Sequence, residues 1–158
     1  MGKYLELFFL SMAPIVELRL SLVIGLIGYD GLDSRLVIIS CVLGNFLICV
    51  PILYFLNYFD KLSENSSFLN KILNKVYSRT RSKAHVINKY NYLGIVLFVG
   101  IPLPLTGAWT GCLASHLLGL DRKKTLISVF LGLIISSGIV TSIAIFAQHF
   151  LPYLGIHL

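Results

Sequence analysis

Four long apolar stretches alternate with short polar turns along the chain: Tyr4–Tyr29, Leu36–Phe59, Tyr92–Leu120 and Thr125–Leu151. Each reaches the ~20 residues that a helix needs to cross ~30 Å of hydrocarbon. The first and third differ from the others, because proline interrupts them. Pro14 sits in one, Pro102 and Pro104 in the other. Proline lacks an N–H and clashes with the preceding turn, so a helix breaks there. The second and fourth read as unbroken helices, with Pro51 a candidate kink in the second.

The stretches repeat as pairs. A gapless shift that carries Tyr4 onto Tyr92 also carries Pro14 onto Pro102 and Gly31-Leu32-Asp33 onto Gly119-Leu120-Asp121. Leu43-Gly44 falls on Leu131-Gly132, and Ile39-Ser40 on Ile127-Ser128. Matched leucines carry little weight in so apolar a chain; the matched proline, glycines and aspartates carry more. Repeated membrane units point to a transporter. The chain then reads as a single membrane domain over 1–158, with repeat 1 at 4–59, a basic linker at 60–91 and repeat 2 at 92–151.

Composition agrees. Hydrophobic residues make up 56% of 158 and charged residues 13%, against about 25% charged in soluble domains. The net charge of +6 is uneven. Seven basic residues, from Lys61 to Lys89, lie in the linker, and Arg122, Lys123 and Lys124 form a second cluster. Basic clusters beside apolar stretches mark a cytoplasmic membrane face rather than a nucleic-acid surface. If all four stretches cross, these clusters lie on opposite faces. If the first and third turn back, both lie on one face, and Lys3 and Arg35 face the other among Glu6, Asp30 and Asp33. The charge rule favours the second layout. It predicts an all-α integral membrane protein of two inverted repeats, each a re-entrant helical hairpin plus a transmembrane helix, with both termini outside. Within the linker, Phe68, Leu69, Ile72, Leu73 and Val76 recur at helical spacing. They predict an amphipathic helix on the anionic inner leaflet, with 61–89 as the lipid-contacting segment; a solvated linker with one short helix is the alternative. Lys3 before an apolar run resembles a signal peptide, but Glu17 and Arg19 interrupt that run, so the start reads as mature protein.

Candidate chemistry gathers at the two breaks. In Pro14-Ile15-Val16-Glu17-Leu18-Arg19 two ionisable residues lie mid-membrane, where each costs about 2.5–3.5 kcal/mol to insert. Glu17 suits a proton or cation, and Arg19 suits a phosphate or carboxylate held by its fork. The bland alternative is an ion pair that braces the break. The second tip, Ile101-Pro102-Leu103-Pro104-Leu105-Thr106-Gly107-Ala108-Trp109-Thr110-Gly111, offers the hydroxyls of Thr106 and Thr110 and close approach at Gly107. The N–H groups of the half-helix that follows form an anion site. Trp109 reads as packing or as a substrate platform. Asn45 follows Gly44 in the second stretch, facing either the cavity or a neighbouring helix. Ser128, Gly132 and Ser136 form a stripe suited to helix packing. His116 closes the third stretch, where an interfacial place or a proton relay both fit. Cys41, Cys49 and Cys112 lack metal-ligand spacing and read as small core residues. No phosphate-binding loop, nucleotide fingerprint, cofactor motif or Ser/His/Asp grouping appears, so an enzyme has no residues to carry it.

These two tip motifs resemble the small multidrug export protein family of prokaryotes, over most of the chain. Members often continue the first motif with a proline and a glycine; here Ser21, Leu22 and Val23 precede Gly25. The resemblance implies a multi-pass transporter in a prokaryotic plasma membrane. The layout is also distantly similar to the DedA membrane proteins, which have paired re-entrant hairpins and are linked to moving polyprenyl-phosphate lipids. By that likeness Glu17 and Arg19 would couple protons and bind a headgroup. The combined expectation is a proton- or ion-coupled transporter of an amphipathic or anionic substrate. Its site residues are Glu17, Arg19, Pro14, Asn45, Pro102, Pro104, Thr106, Gly107, Trp109 and Thr110. The alternatives are a polyprenyl-phosphate-type flippase and a non-transporting scaffold. So small a chain encloses little, which predicts a homodimer or larger.

Overall fold

The computed structural model describes residues 2–64, 78, 85–103 and 106–150, without the side chains of 57, 59–64 and 85–89. Among the described residues six helices run α1 (Gly2–Met12), α2 (Glu17–Ile27), α3 (Ser34–Glu64), α4 (His85–Gly100), α5 (Ala108–Leu117) and α6 (Arg122–Phe150). No strand occurs among the described residues. The predicted linker helix at 68–76 and Pro104 lie outside the described residues.

Among the described residues two helices are long and apolar enough to cross a membrane: Ser34–Leu56 of α3, mean hydropathy 2.6, and α6, mean hydropathy 2.3. Both start earlier than the apolar stretches alone suggest, and α3 runs on to Glu64, because helical hydrogen bonding continues into the polar flanks. Pro51 sits inside α3 without ending it. Large apolar side chains such as Leu43, Leu47, Ile127 and Ile134 are about half exposed on these helices. A helix apolar all round needs lipid or protein on every side. Exposed apolar faces on two helices of this length suit a lipid environment.

The other two stretches each form a pair of short helices whose outer ends meet. The α1–α2 pair closes where the Tyr29 hydroxyl donates to Glu6 Oε1 (2.9 Å) and the Asp33 N–H donates to the Tyr4 hydroxyl (3.0 Å). The Lys3 ammonium also lies 4.7 Å from the centre of the Tyr29 ring. α1 has 11 residues, hence about 16 Å of rise, roughly half the hydrocarbon thickness. In the second half the Asp121 N–H donates to the Tyr92 hydroxyl at 3.2 Å, the same bond at repeat-equivalent positions. Gly31 and Gly119 both adopt positive φ, 75° and 65°, just before those aspartates, which glycine does without steric penalty. Asp33 and Asp121 then accept N–H groups at the starts of α3 and α6.

α1 packs on α3, and α4 packs on α6. Both crossings centre on equivalent glycines. A Cβ on Gly44 would strike the Phe8 carbonyl oxygen and the Ser11 hydroxyl; one on Gly132 would lie 2.7 Å from Val99 Cβ and 3.0 Å from the Val96 carbonyl oxygen. Ser128 and Ser136 are buried beside Gly132, so the small-residue stripe is a packing face inside the chain and is not open to a second copy. α2 and α5 each pack against both long helices and join the halves. The long helices run antiparallel. Going forward along α6, Arg122 meets Tyr54, Phe130 meets Phe46, and Gln148 Nε2 donates to the Leu26 carbonyl near the end of α2, on the side where α3 begins. The three cysteines are free and buried, as the sequence leads one to expect.

Filling either crossing forces helices apart, at about 1–3 kcal/mol. Gly44→Ala and Gly132→Ala should each lower the melting temperature in detergent. Gly138→Ala, where a Cβ meets nothing within 4 Å, should leave it unchanged.

Candidate functional site

The breaks between α1 and α2 and between α4 and α5 leave helix ends without their normal partners, and the two tips meet. Arg19 projects from the first turn of α2 into the second tip. Nη1 donates to the Leu103 carbonyl, and Nη2 to the carbonyls of Thr106 and Ile101 (the last at 3.2 Å) and to Thr106 Oγ1 at 3.3 Å. These acceptors follow the end of α4, where carbonyls point onward with no helix to receive them. One planar guanidinium with five donors can serve several such oxygens.

Glu17 does the reverse at the other end of the same tip. Its carboxylate packs against Gly107, at the start of α5, where an added Cβ would overlap it. The Trp109 backbone N–H lies on the side of α5 that this carboxylate faces. A carboxylate at a helix N-terminus meets orphan N–H groups and the positive end of the helix dipole. The anion expected at this helix start is therefore the chain's own Glu17. Its backbone has φ of 49°, a left-handed conformation that costs a residue with a Cβ of the order of 1–3 kcal/mol and is found at functional sites. Packing must hold it there.

The second tip returns the contact. Trp109 Nε1 donates to the Met12 carbonyl at the end of α1, 3.0 Å away, so the indole caps that helix. Thr110 folds back on Gly107: its Oγ1 accepts the Gly107 N–H at 2.9 Å and lies 3.1 Å from the Gly107 carbonyl. The Thr106 hydroxyl is buried and lies 2.9 Å from the Leu103 carbonyl, to which it donates. Asn45 is fully buried on α3, and its Nδ2 donates to the Ser11 carbonyl at 2.9 Å. Its Oδ1 meets no hydrogen-bond donor among the described residues. Cys49 donates to the Asn45 carbonyl at 3.1 Å. Pro102 is half-buried within the second tip, whereas Pro14 is exposed at the outer turn of the first.

Seven of the ten predicted residues thus converge on the junction or its borders: Glu17, Arg19, Pro102, Thr106, Gly107, Trp109 and Thr110. Asn45 abuts it through the end of α1. The chief partners that sequence reading missed are backbone groups of Met12, Ile101 and Leu103, which carry no side-chain signal. The tyrosine–aspartate closures were readable, since Tyr4/Asp33 and Tyr92/Asp121 are matched pairs in the repeat.

The described residues are helical, with two long apolar helices and two charged side chains that reach from one broken helical pair to the other, an arrangement that suits an integral membrane protein. Residues 17–139 match the model of the family described as "putative small multi-drug export protein", and the chain belongs to that family. Its role is accordingly membrane transport. No curated protein and no solved structure matches the chain.

The Glu17–Gly107 contact is testable by coupling. Gly107 has φ −113° and ψ −169°, which alanine adopts freely, so Gly107→Ala acts only by displacing the carboxylate. Alone it should destabilise; in a Glu17→Ala background it should cost much less. The interaction energy from the double-mutant cycle should be about 1–3 kcal/mol, read by thermal unfolding in detergent.

Proposed function

We propose that the chain is an ion-coupled exporter of amphipathic or anionic substrates, working at the junction of its two hairpin tips. The observation that carries this reading is that both ionisable residues of the first tip end on backbone groups of the second. The α1–α2 and α4–α5 pairs are re-entrant hairpins, and α3 and α6 are the crossings. The antiparallel course of α3 and α6, with the matched closures of the hairpins, supports an inverted repeat. Termini then lie outside, with 60–91 and 121–124 in the cytoplasm of a prokaryotic cell and 61–89 on its anionic leaflet.

The mechanism follows from what each charge holds. Arg19 keeps the second tip closed by binding its carbonyls. A substrate phosphate or carboxylate competes for that fork with a stronger, charge-assisted bond. A proton on Glu17 cancels its charge at the α5 N-terminus and so weakens its hold on the second tip. Substrate and proton thus loosen the same junction from two sides. A homodimer supplies the further walls that so small a chain lacks.

A second reading rests on the same contacts. Because backbone groups already satisfy Glu17 and Arg19, the pair could be a permanent brace in a non-transporting scaffold. Vesicle reconstitution separates the two. Under an imposed pH gradient, wild-type protein should move an amphipathic dye such as ethidium, and Glu17→Gln and Arg19→Ala should drop to the rate of empty vesicles while remaining folded. Transport unchanged in both folded variants refutes the junction as the site; no transport by wild-type protein of any amphipathic or anionic probe favours the scaffold.

Topology has its own measurement. The native thiols are buried, so single added cysteines can be read in the natural sequence. Cysteine placed at Lys123 should resist an impermeant maleimide applied from outside until cells are permeabilised, whereas one at Ser34 should react at once. External labelling at 123 overturns the re-entrant layout.

A further inference from the structure

At the far end of α3 from its hairpin lies a second site, separate from the junction of the tips. Leu53, His116, Gly119, Leu120 and Arg122 line a cavity of about 220 Å³. Leu53 is nineteen positions along α3 from Ser34, about 28 Å at helical rise, so the cavity sits one hydrocarbon thickness from the other end of the helix. That is headgroup depth. The volume matches about seven waters and falls short of the ~300 Å³ at which drug-sized pockets begin. It suits a single compact polar group.

Its charge is cationic. Arg122 is half-buried and its guanidinium lies 5.5 Å from the centre of the Tyr54 ring, which fixes the side chain at the rim. Lys124 is held over Tyr92 at 5.6 Å, and Lys123 is exposed beside them. The neighbouring acid, Asp121, is engaged with the Lys124 N–H at 3.0 Å, at the start of α6.

The internal repeat serves as a control for what the fold itself requires. The positions equivalent to His116, Arg122 and Lys124 are Gly28, Ser34 and Leu36. Both turns keep the positive-φ glycine, the aspartate and the tyrosine closure. The turn therefore forms without the histidine, the arginine or the second lysine. We infer that the cavity between α3, α5 and α6 binds a phosphate group, held by the Arg122 fork and bordered by His116. Basic pockets between membrane helices commonly take phosphate headgroups, and Arg binds phosphate through paired donors. The source is either an anionic lipid or a free phosphate, and the two are separable.

The test uses the full chain in neutral detergent and measures binding by native mass spectrometry and by the rise in melting temperature. The probes are phosphatidic acid, phosphatidylcholine and inorganic phosphate. Wild-type protein should bind phosphatidic acid over phosphatidylcholine, or bind inorganic phosphate. Lipid binding that millimolar phosphate does not displace identifies a headgroup, and displacement identifies phosphate itself. Arg122→Gln should weaken binding about tenfold. Lys123→Gln removes the same charge one residue away, outside the cavity, and should leave binding within about twofold. If Arg122→Gln fails to fold, His116→Gln replaces it with the same expected direction. Equal losses at 122 and 123 would mean diffuse surface charge, and no loss at either would mean no site; both outcomes overturn the inference.

Discussion

Backbone that leaves the helical form within a membrane must find partners for its N–H and C=O groups, because hydrocarbon supplies none. Most of this chain's arrangement answers that constraint at two places. Each break is met by the other: Arg19 donates to the carbonyls left after α4, the Glu17 carboxylate packs against the start of α5, and the Trp109 indole donates to the last carbonyl of α1. Neither hairpin is complete alone. α2 and α5 are drawn between the two long helices because only there can the tips meet.

The same exchange explains the electrostatics without an ion pair as its main feature. Glu17 and Arg19 lie two residues apart, and sequence alone leaves open whether they hold each other or a ligand. They divide instead between the positive and negative ends of two half-helices. Each charge is placed where a helix dipole welcomes it, which lowers the cost of burying an ionisable group. The left-handed backbone at Glu17 is the local strain that lets its side chain point across the junction.

Much of this is legible in the sequence. Prolines at equivalent positions marked the breaks, and the matched Gly-Leu-Asp turns marked where each hairpin ends, because both features have direct backbone consequences. Side-chain size told where helices could cross: Gly44 and Gly132 sit at the two closest approaches. The exact partners of Arg19 were not legible, since carbonyl oxygens look alike in every residue. Nor did the serine–glycine stripe of α6 announce whether its mate lay in the same chain or in another copy. It proved to be α4. The extent of α3 past Phe59 was also hidden, because polar residues neither forbid nor demand that a helix continue.

The contacts across the junction join residues 82 to 87 positions apart, and this has a consequence for the order in which the protein is made. At about 5–20 residues per second, Arg19 leaves the ribosome some 4–17 s before the carbonyls that receive it. During that interval the newborn first hairpin holds an acid and a base with no second tip to meet. Water, lipid phosphates or the insertion machinery must shelter them. The second half, when it arrives, therefore acts as a template-fitted closure for the first, and a stall in synthesis between the halves would leave the most polar part of the protein exposed where it is least tolerated.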